Sequence, residues 1–407
     1  MYIHRHLEAM LATASKMFGA VLVTGPRQVG KTTLVRRFAS TSNYVTLDDP
    51  MQLHAAVEQP ATFFKDNTPP VFVDEIQYAP NLFPYIKMKV DEEKAKGLFY
   101  LSGSQQFKLM KNVGESLAGR LGILNLLGLS MREYQQLKFN DAFLPTEEYF
   151  AGRRKELKPL SYDELWRVIH RGSMPDLLLN EDFDWQIFYA SYVKTYIERD
   201  VRELTQVGDE VKFITFMIAV ASITGQLLNI SSLAKNVGIS VSTAERWLSI
   251  LVTSNIVYLL RPYANNVLKR SVKTPKLYFL DTGLAAYLTK WTTADVLKNG
   301  AMAGAFFETF VVAEIIKSYY NKGIAEPPLY FYRDKEQKEI DLLIECNGVL
   351  YPLEMKKHAD PKAADIRAFS VLDDIPGVQR GSGGVICTYH QLVTLKDNDK
   401  VIPISYI

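Results

Sequence analysis

Cysteine is scarce in this 407-residue sequence, where Cys346 and Cys387 are the only two. Two thiols form at most one disulfide, so a secreted, disulfide-stapled scaffold is excluded. Long apolar runs are also lacking, because the longest, residues 213–223, is interrupted by Thr215 and Ser222 and is too short to cross a bilayer. The first residues lack the apolar core of a signal peptide. We therefore expect a cytoplasmic protein with no membrane anchor.

Charge of one sign is not in excess, since 47 Lys and Arg face 45 Asp and Glu for a net charge of +2. Global charge therefore does not indicate a nucleic-acid partner. The six histidines are scattered, and there is no zinc-ligand cluster, no G-x-S-x-G turn and no second phosphate loop. Metalloprotease, serine hydrolase and flavin-dependent functions have no support.

A hydrophobic content of 47% excludes a largely disordered chain, and the length predicts two to four domains. Residues 1–135 alternate short apolar runs with helical stretches, which is typical of an α/β domain with a parallel sheet. Residues 136–225 are predicted as a helical lid or linker, 226–285 as a winged helix-turn-helix, and 300–407 as an α/β domain. The strands predicted in the first domain are Ala20–Thr24, Tyr44–Leu47, Val71–Asp74, Leu98–Ser102 and Ile123–Leu127.

A phosphate-binding loop follows the first predicted strand. Residues 25–32 match G-x-x-x-x-G-K-[ST] at every fixed position, between an apolar strand and a helix-compatible segment. The glycines let backbone N–H groups surround phosphate oxygens. Lys31 would then reach the β and γ phosphates, and the Thr32 hydroxyl would ligate Mg²⁺. The predicted nucleotide-binding residues are Gly25, Pro26, Arg27, Gln28, Val29, Gly30, Lys31, Thr32, Thr33 and Ser104.

Other polar groups complete this prediction. Asp74 and Glu75 end the third predicted strand, where Asp74 would hold Mg²⁺ through water and Glu75 would activate the attacking water. Ser104 or Gln105, after the fourth strand, is a candidate γ-phosphate contact, with a polar loop as the alternative. Arg120 is a candidate arginine finger for its own site or for a neighbouring subunit in an oligomer. An ordinary surface arginine is an equal alternative.

Four of these segments, residues 25–32, 71–77, 102–106 and 116–120, together resemble the AAA-type ATPase domain of a widespread bacterial and archaeal family. Segments 171–176 and 192–200 extend the resemblance to nearly the whole chain. It implies ATP as the nucleotide and a C-terminal domain that is restriction-endonuclease-like and of undefined role. The expected fold is α/β multidomain: a P-loop parallel-sheet ATPase domain, helical lid and winged helix, and a C-terminal restriction-endonuclease-like α/β domain. Glu198, Arg199 and Asp200 are interpreted as a helix-face charge cluster, in preference to a second finger at Arg199.

The segment from residue 226 to residue 276 is strongly basic. It contains seven Lys and Arg residues and one acidic residue, Glu245, so its net charge is +6. Helices are predicted at 231–236 and 241–254 around a Gly238 turn, and strands at 256–261 and 276–280. This order is typical of a winged helix. In a DNA complex the second helix would present Ser242, Thr243, Arg246 and Ser249 to the major groove, and the wing would hold phosphates. A rigid spacer or a protein contact is the alternative. The basic residues are Lys235, Arg246, Arg261, Lys269, Arg270, Lys273 and Lys276.

The last domain carries a nuclease-like pattern. Asp341 lies in one predicted strand, and Glu354 and Lys356 lie on one face of the next. Asp341 and Glu354 would hold one or two Mg²⁺ ions, and Lys356 would position or deprotonate water or offset charge on the phosphorane. Glu308 would add, from a buried helix, either a further ligand or a contact to a ligand. Two alternatives stay open: a structural salt-bridge network, and a nuclease-like fold used only for binding.

Two functions follow from these patterns. The first is Mg²⁺-dependent ATP binding and hydrolysis, coupled to nucleic-acid engagement through the winged helix and the nuclease-like domain. The alternative is an ATP-controlled switch that binds a protein partner and whose nuclease-like domain is catalytically inactive.

Overall fold

The structure, a computed structural model, describes residues 2–104, 117–196, 210–264 and 274–407. Several predicted residues lie outside the described residues, as do parts of segments 102–106, 116–120 and 192–200. They are Gln105, Glu198, Arg199, Asp200, Lys269, Arg270 and Lys273.

The N-terminal domain is built on a parallel sheet of five strands in the order β2-β3-β4-β1-β5. The predicted parallel sheet is confirmed, and its strand bounds differ by at most two residues. Because β4 lies between β1 and β3, the carboxyl ends of these three strands meet at one edge of the sheet. The strands are β1 (Ala20–Thr24), β2 (Asn43–Thr46), β3 (Val71–Asp74), β4 (Phe99–Gly103) and β5 (Leu121–Asn125).

Helices pack against both faces of this sheet, which is why β1, β3 and β4 are buried along their whole length. The second helix begins at Lys31, directly after Gly30, whose φ of +89° is the left-handed conformation that glycine adopts without strain. The helices are α1 (Glu8–Met17), α2 (Lys31–Phe38), α3 (Pro50–Glu58), α4 (Pro60–Asp66) and α5 (Leu82–Glu93).

The middle of the chain is helical, as predicted. Helix α8 begins at a Ser161–Glu164 capping box, and Leu165, Trp166 and Ile169 form its buried face. The helices are α6 (Met131–Tyr134), α7 (Glu147–Arg154), α8 (Tyr162–Arg171), α9 (Pro175–Leu179), α10 (Trp185–Tyr196) and α11 (Glu210–Ala221).

A helix–turn–helix unit follows, with α12 (Ile230–Val237) and α13 (Val241–Thr253) separated by Gly238 at a φ of +73°. Antiparallel strands complete it: β6 (Gln226–Leu227), β7 (Val257–Pro262) and β8 (Lys276–Phe279). On α13 the predicted apolar face, Ala244, Leu248 and Leu251, is buried. Ser242, Arg246 and Ser249 are exposed and Thr243 is half-buried.

The C-terminal domain shares its sheet with this unit, because β7 pairs in parallel with β9. One sheet therefore continues across the domain boundary that the sequence predicts between residues 285 and 300. Its elements are α14 (Thr282–Leu288), α15 (Ala294–Asn299), α16 (Ala303–Tyr320), β9 (Leu329–Arg333), β10 (Glu339–Cys346), β11 (Val349–Lys356), β12 (Gln379–Arg380), β13 (Gly384–Cys387), β14 (Val393–Lys396) and β15 (Asp399–Pro403).

A 3₁₀ helix at Arg367–Asp374 packs Phe369 and Leu372 into the core of this domain. Helix α16 is nearly all buried between the two halves of the molecule. Of the described helices, none is long and apolar enough to cross a membrane.

Candidate nucleotide site and carboxylate–lysine cluster

The phosphate loop lies at the carboxyl end of β1, where the motif predicted it. Gly25 has a φ of +145°, and a Cβ atom there would lie 2.0 Å from the Leu126 carbonyl oxygen, so no side chain fits. Lys31 is buried, and its Nζ donates to the carbonyl oxygens of Gly25 at 3.0 Å and Pro26 at 2.7 Å. The lysine ammonium therefore lies inside the curve of the loop.

Thr32 and Asp74 come together as predicted. Thr32 Oγ1 donates to Asp74 Oδ2 at 2.9 Å and also lies 3.2 Å from Oδ1. Ser102, to which the sequence analysis gave no role, donates its hydroxyl to the other side of this carboxylate. The strand order, which places β4 beside β3, creates this contact. A hydroxyl and a carboxylate are hard oxygen donors that fit Mg²⁺.

Glu75 directly follows Asp74 in a left-handed conformation with a φ of +58°, which is costly for a residue other than glycine and typical of functional sites. Gln77 Nε2 donates to its carboxylate. Burial raises the pKa of Glu75, and the nearby Lys31 ammonium partly opposes this rise. A raised carboxyl pKa lies closer to the range of a general base.

Two hydroxyls at the same edge have no hydrogen-bond partner among the described residues. The Oγ1 atom of Thr24 and the Oγ atom of Ser104 are buried without a hydrogen bond in the described part of the chain. Thr24 ends β1 and Ser104 follows β4, so both lie beside the loop. Orphaned buried hydroxyls indicate a polar ligand at this edge. That Ser104 contacts the γ-phosphate remains a prediction.

Arg120 lies at the opposite edge of the sheet. Its carbonyl accepts the Ala20 N–H at the start of β1, about 13 Å, or four strand intervals, from the loop end. The Arg120 side chain, 35% exposed, pairs with Asp91 at 2.5 Å. This position excludes Arg120 as a finger for its own phosphate loop, because a residue before a parallel strand lies at the amino edge. A finger for a neighbouring subunit remains a prediction.

A cleft of about 980 Å³ opens above the phosphate loop. One wall comes from the N-terminal segment through Tyr2 and Ile3. The opposite wall comes from the helical region through Pro175, Asp176 and Leu179 on α9 and Thr195 on α10. Segment 171–176 and the described part of segment 192–200 therefore border the same cleft as the phosphate loop.

The segment 171–176 is anchored to Asp281, a buried residue that the sequence analysis missed. Asp281 Oδ2 accepts the Ser173 N–H and hydroxyl, each at 2.7 Å. Its Oδ1 accepts the Tyr189 hydroxyl at 2.6 Å and the Leu284 N–H at 2.7 Å. Ser173 is 108 residues from Asp281, so no local pattern signals this contact.

The C-terminal carboxylates gather around Lys276, which the sequence analysis counted only in the local +6 charge. Lys276 Nζ lies 3.3 Å from Glu308 Oε1, 2.6 Å from Glu339 Oε1 and 3.7 Å from Asp341 Oδ1. Tyr278 donates its hydroxyl to Glu308 at 2.6 Å. Burial lowers the ammonium's pKa, but the three carboxylates outweigh it and raise the pKa of Lys276. Lys276 therefore remains charged.

Glu354 and Lys356 lie on the other side of Asp341. Lys356 Nζ donates to Glu354 Oε2 at 3.1 Å, and the Met355 N–H donates to Asp341 Oδ2 at 3.0 Å. Burial and the neighbouring Asp341 carboxylate raise the pKa of Glu354 far above its usual range. Burial and Asp341 also raise the pKa of Glu308.

The structure arranges Glu308, Asp341 and Glu354 in ion pairs with lysines and not in the Mg²⁺ centre that the sequence predicts. Among the described residues, no group of three or more His, Cys, Asp or Glu side chains is arranged to hold a metal ion. The Lys276 ammonium pairs with Glu308 and Asp341, and Glu354 pairs with Lys356. The donor set therefore does not fit a divalent cation, and the salt-bridge network is the better interpretation.

Comparison with known proteins supports a nucleotide-binding role for the N-terminal domain. Residues 18–135 match the family model of an AAA domain, which supports an AAA-type ATPase domain in this part of the chain. Residues 162–295 and 303–407 match two domains of unknown function, DUF8612 and DUF4143. Uncharacterised proteins of Mycobacterium tuberculosis and Mycobacterium bovis are each 28% identical over 373 residues, which cover 91% of this chain and 77% of the relative.

Solved structures give weaker similarity. A Walker-type ATPase of Pyrococcus abyssi has a TM-score of 0.43 at 13% identity, covering 69% of this chain and 94% of its own. The RuvB Holliday junction branch migration motor of Thermotoga maritima has a TM-score of 0.30 at 15% identity, covering 63% of this chain and 89% of its own. These scores are too low to establish a shared architecture.

Proposed function

We propose that the protein binds ATP with Mg²⁺ and hydrolyses it. The observation that carries this proposal is the convergence of Lys31, Thr32, Asp74 and Glu75 at one edge of the sheet. Two strands, β1 and β3, bring these groups together, and the cleft above them is large enough for a nucleotide.

Each group has a distinct task. The loop N–H groups and the Lys31 ammonium bind the β and γ phosphates. Thr32 and Asp74 hold Mg²⁺, which neutralises developing charge on the phosphoryl oxygens when it is bound. Glu75 orients the attacking water and accepts its proton, and Gln77 fixes the Glu75 carboxylate by donating to it.

The purine lies against the apolar part of the cleft. Tyr2, Ile3, Leu129, Pro175 and Leu179 supply this surface. The Arg37 guanidinium stacks 4.3 Å from the centre of the Tyr2 ring and holds that ring at the mouth of the cleft. Adenine is the base that the family resemblance implies.

Helix α16 couples the cleft to the C-terminal domain. Lys317 Nζ donates to the Leu129 carbonyl at 3.1 Å, and Glu314 Oε2 accepts the Met131 N–H at 2.8 Å. Leu129 also lines the nucleotide cleft. The same helix carries Glu308, so one rigid element contacts both the nucleotide site and the carboxylate–lysine cluster. Binding or hydrolysis of ATP would therefore affect the C-terminal domain through this helix.

The output that the charge distribution favours is nucleic-acid binding by the helix–turn–helix unit, acting as a winged helix. Its second helix exposes Ser242, Arg246 and Ser249, while its opposite face is buried. Strand cleavage is not part of this proposal, because Lys276 and Lys356 already pair with the carboxylates that would have held a metal and partly neutralise them. That same neutralisation supports the second candidate, an ATP-controlled switch for a protein partner with a catalytically inactive nuclease-like domain.

ATP turnover of the wild type and Lys31→Ala, with and without single- or double-stranded DNA, tests both outputs. We expect turnover in Mg²⁺ that is lost in Lys31→Ala and stimulated by DNA, while the strands stay intact on a gel in Mg²⁺ and Mn²⁺. An ATP turnover rate that is unchanged by DNA favours the protein-partner switch. Cleaved strands contradict the salt-bridge interpretation, and absence of turnover contradicts the ATPase.

DNA affinity of Arg246→Ala tests the surface itself. Removing one phosphate-binding cation from an exposed helix should weaken binding and reduce its salt dependence by about one counterion. The matched control is Lys96→Ala, which removes an exposed cation from the ATPase domain. Equal effects of the two substitutions would indicate non-specific attraction and remove α13 from the proposal. Joint neutralisation of Lys269, Arg270 and Lys273 tests the wing in the same assay.

A further inference from the structure

Arg5 is a buried arginine between the phosphate loop and the chain that leaves the sheet after β5. Its side chain is 5% exposed. Nη1 donates to the Val29 carbonyl at 2.8 Å, Nη2 donates to the Leu127 carbonyl at 2.7 Å, and Nε pairs with Glu133 Oε1 at 3.0 Å. One guanidinium therefore joins three segments that are more than twenty residues from Arg5.

Glu133 holds this guanidinium in place. Besides Arg5, it accepts the N–H groups of His6 and Ser130, each at 2.8 Å. Burial alone would raise the pKa of Glu133, but the Arg5 charge, His6 and the Ser130 N–H outweigh burial and lower it. The carboxylate is therefore ionised near neutral pH and fixes the direction in which the Arg5 fork points.

We propose that Arg5 is a positioning residue that orients the Val29–Gly30 peptide of the phosphate loop, an inference that rests on the proposed ATP binding. In a trans peptide the C=O and N–H groups point to opposite sides. Because Arg5 holds the Val29 carbonyl, it directs the Gly30 N–H to the other side of that peptide. Gly30 lines the cleft, and such N–H groups bind phosphate oxygens.

The hydrogen bond from Arg5 to the Leu127 carbonyl holds the phosphate loop against the segment that follows β5. The Leu126 N–H donates to the Thr24 carbonyl at 2.8 Å, and Gly25 packs directly against Leu126. Arg5 links the other end of the loop to the same segment, because it donates to the carbonyls of both Val29 and Leu127. A lysine cannot replace it, because a single ammonium lacks the planar fork that reaches two carbonyls and a carboxylate together.

The test compares Arg5→Lys with Arg153→Lys in the full chain. Arg153 is a second buried arginine, which donates to the Glu156 carbonyl at 2.7 Å and lies on α7 outside the nucleotide cleft. We expect Arg5→Lys to raise the ATP dissociation constant about tenfold, the effect of one lost charge-assisted hydrogen bond. Arg153→Lys should lower the unfolding midpoint and leave ATP affinity unchanged. Wild-type affinity in Arg5→Lys, or an equal loss in both variants, overturns the proposal.

A double variant, Arg5→Met with Glu133→Gln, covers the case in which Arg5→Lys does not fold. Replacing both members of a buried pair leaves no uncompensated charge. We expect this variant to fold and to bind ATP more weakly than the wild type, and wild-type affinity overturns the proposal. Lys31→Ala distinguishes failure of the proposed ATP binding from failure of the Arg5 inference. If the wild type binds ATP no better than Lys31→Ala, the proposed ATP function fails, and the Arg5 inference fails with it.

Discussion

Lys276 and Glu308 form an ion pair across what the sequence presents as two domains, with 3.3 Å between Nζ and Oε1. Lys276 begins β8 beside the helix–turn–helix unit, and Glu308 lies on α16 of the C-terminal domain. The shared sheet joins the same two regions through β7 and β9. A lysine that the sequence analysis counted only in the local positive charge therefore pairs with a carboxylate that was predicted to hold a metal.

Lys276→Met should strongly destabilise the protein. Its side chain is 4% exposed, and its removal leaves Glu308, Glu339 and Asp341 close together without their shared cation. Breaking a buried charge network from one side costs about 3 kcal/mol or more in the free energy of unfolding. Urea denaturation measures this loss, and adding Glu308→Gln should recover part of it because one uncompensated charge is removed.

Lys298→Met is the matched control for that substitution. Lys298 also pairs with two carboxylates, Asp163 and Asp295 at 2.7 Å each, but both partners are exposed to solvent. Exposed ion pairs contribute little, so this variant should unfold close to the wild type. If both lysine variants lost the same free energy of unfolding, the buried cluster around Lys276 would stabilise the protein no more than an exposed ion pair does.

Stability should fall as pH rises from 7 to 9. Burial and Asp341 raise the pKa of Glu354 to about 9, so the folded protein holds a proton that the unfolded chain releases near pH 4.5. Because the folded state binds more protons, rising pH favours unfolding, by up to about 1.4 kcal/mol per pH unit for one proton. This window lies above the titration of His6 and His170, whose pKa values are lowered by burial.

Glu354→Gln should flatten that pH dependence, since its amide imitates the protonated carboxyl group and does not titrate. Urea unfolding at pH 7, 8 and 9 gives the slope for each protein. Glu336→Gln, at an exposed position paired with Lys338, should keep the wild-type slope. An unchanged slope in Glu354→Gln would place the extra proton elsewhere.

The sequence predicts local parts of the site well and distant contacts poorly. The phosphate loop occupies eight consecutive residues, and Asp74 ends a strand whose apolar pattern is clear, so both were located without a structure. Ser102, Asp281 and Arg5 were missed because their partners lie 28, 108 and up to 128 residues away. Arg120 is different: it precedes a predicted parallel strand, and that position alone places it at the amino edge, away from its own phosphate loop.

Glu75→Gln should bind ATP and hydrolyse it slowly. Loss of a general base costs on the order of 10²- to 10⁴-fold in rate, while Lys31 and Thr32 still bind the phosphates. In the wild type the rate should rise with pH through the raised pKa of Glu75, because only the ionised carboxylate accepts a proton. Glu93→Gln, an exposed carboxylate at the end of α5, is the control. Normal turnover in Glu75→Gln would remove Glu75 from the mechanism.

Asp281→Asn should weaken both the fold and the nucleotide cleft. The carboxylate accepts donors from Ser173, Tyr189 and Leu284 on its two oxygens, whereas an asparagine amide would turn two N–H groups toward donors on one side. Leaving such buried donors unsatisfied costs about 2 kcal/mol in the free energy of unfolding. Because Ser173 anchors the segment that carries Asp176 into the cleft wall, ATP affinity should fall as well.

Asp49→Asn separates the loss of this buried contact from a general effect of replacing a helix cap. Asp49 caps α3 by accepting the Met51 N–H at 2.8 Å in an exposed position, and asparagine caps a helix end about as well as aspartate. We expect this variant to keep wild-type stability and ATP affinity. If Asp281→Asn also kept both, its four hydrogen bonds would contribute nothing to holding the segment, and the wall of the cleft would have to be positioned by the packing of α8 and α10 alone.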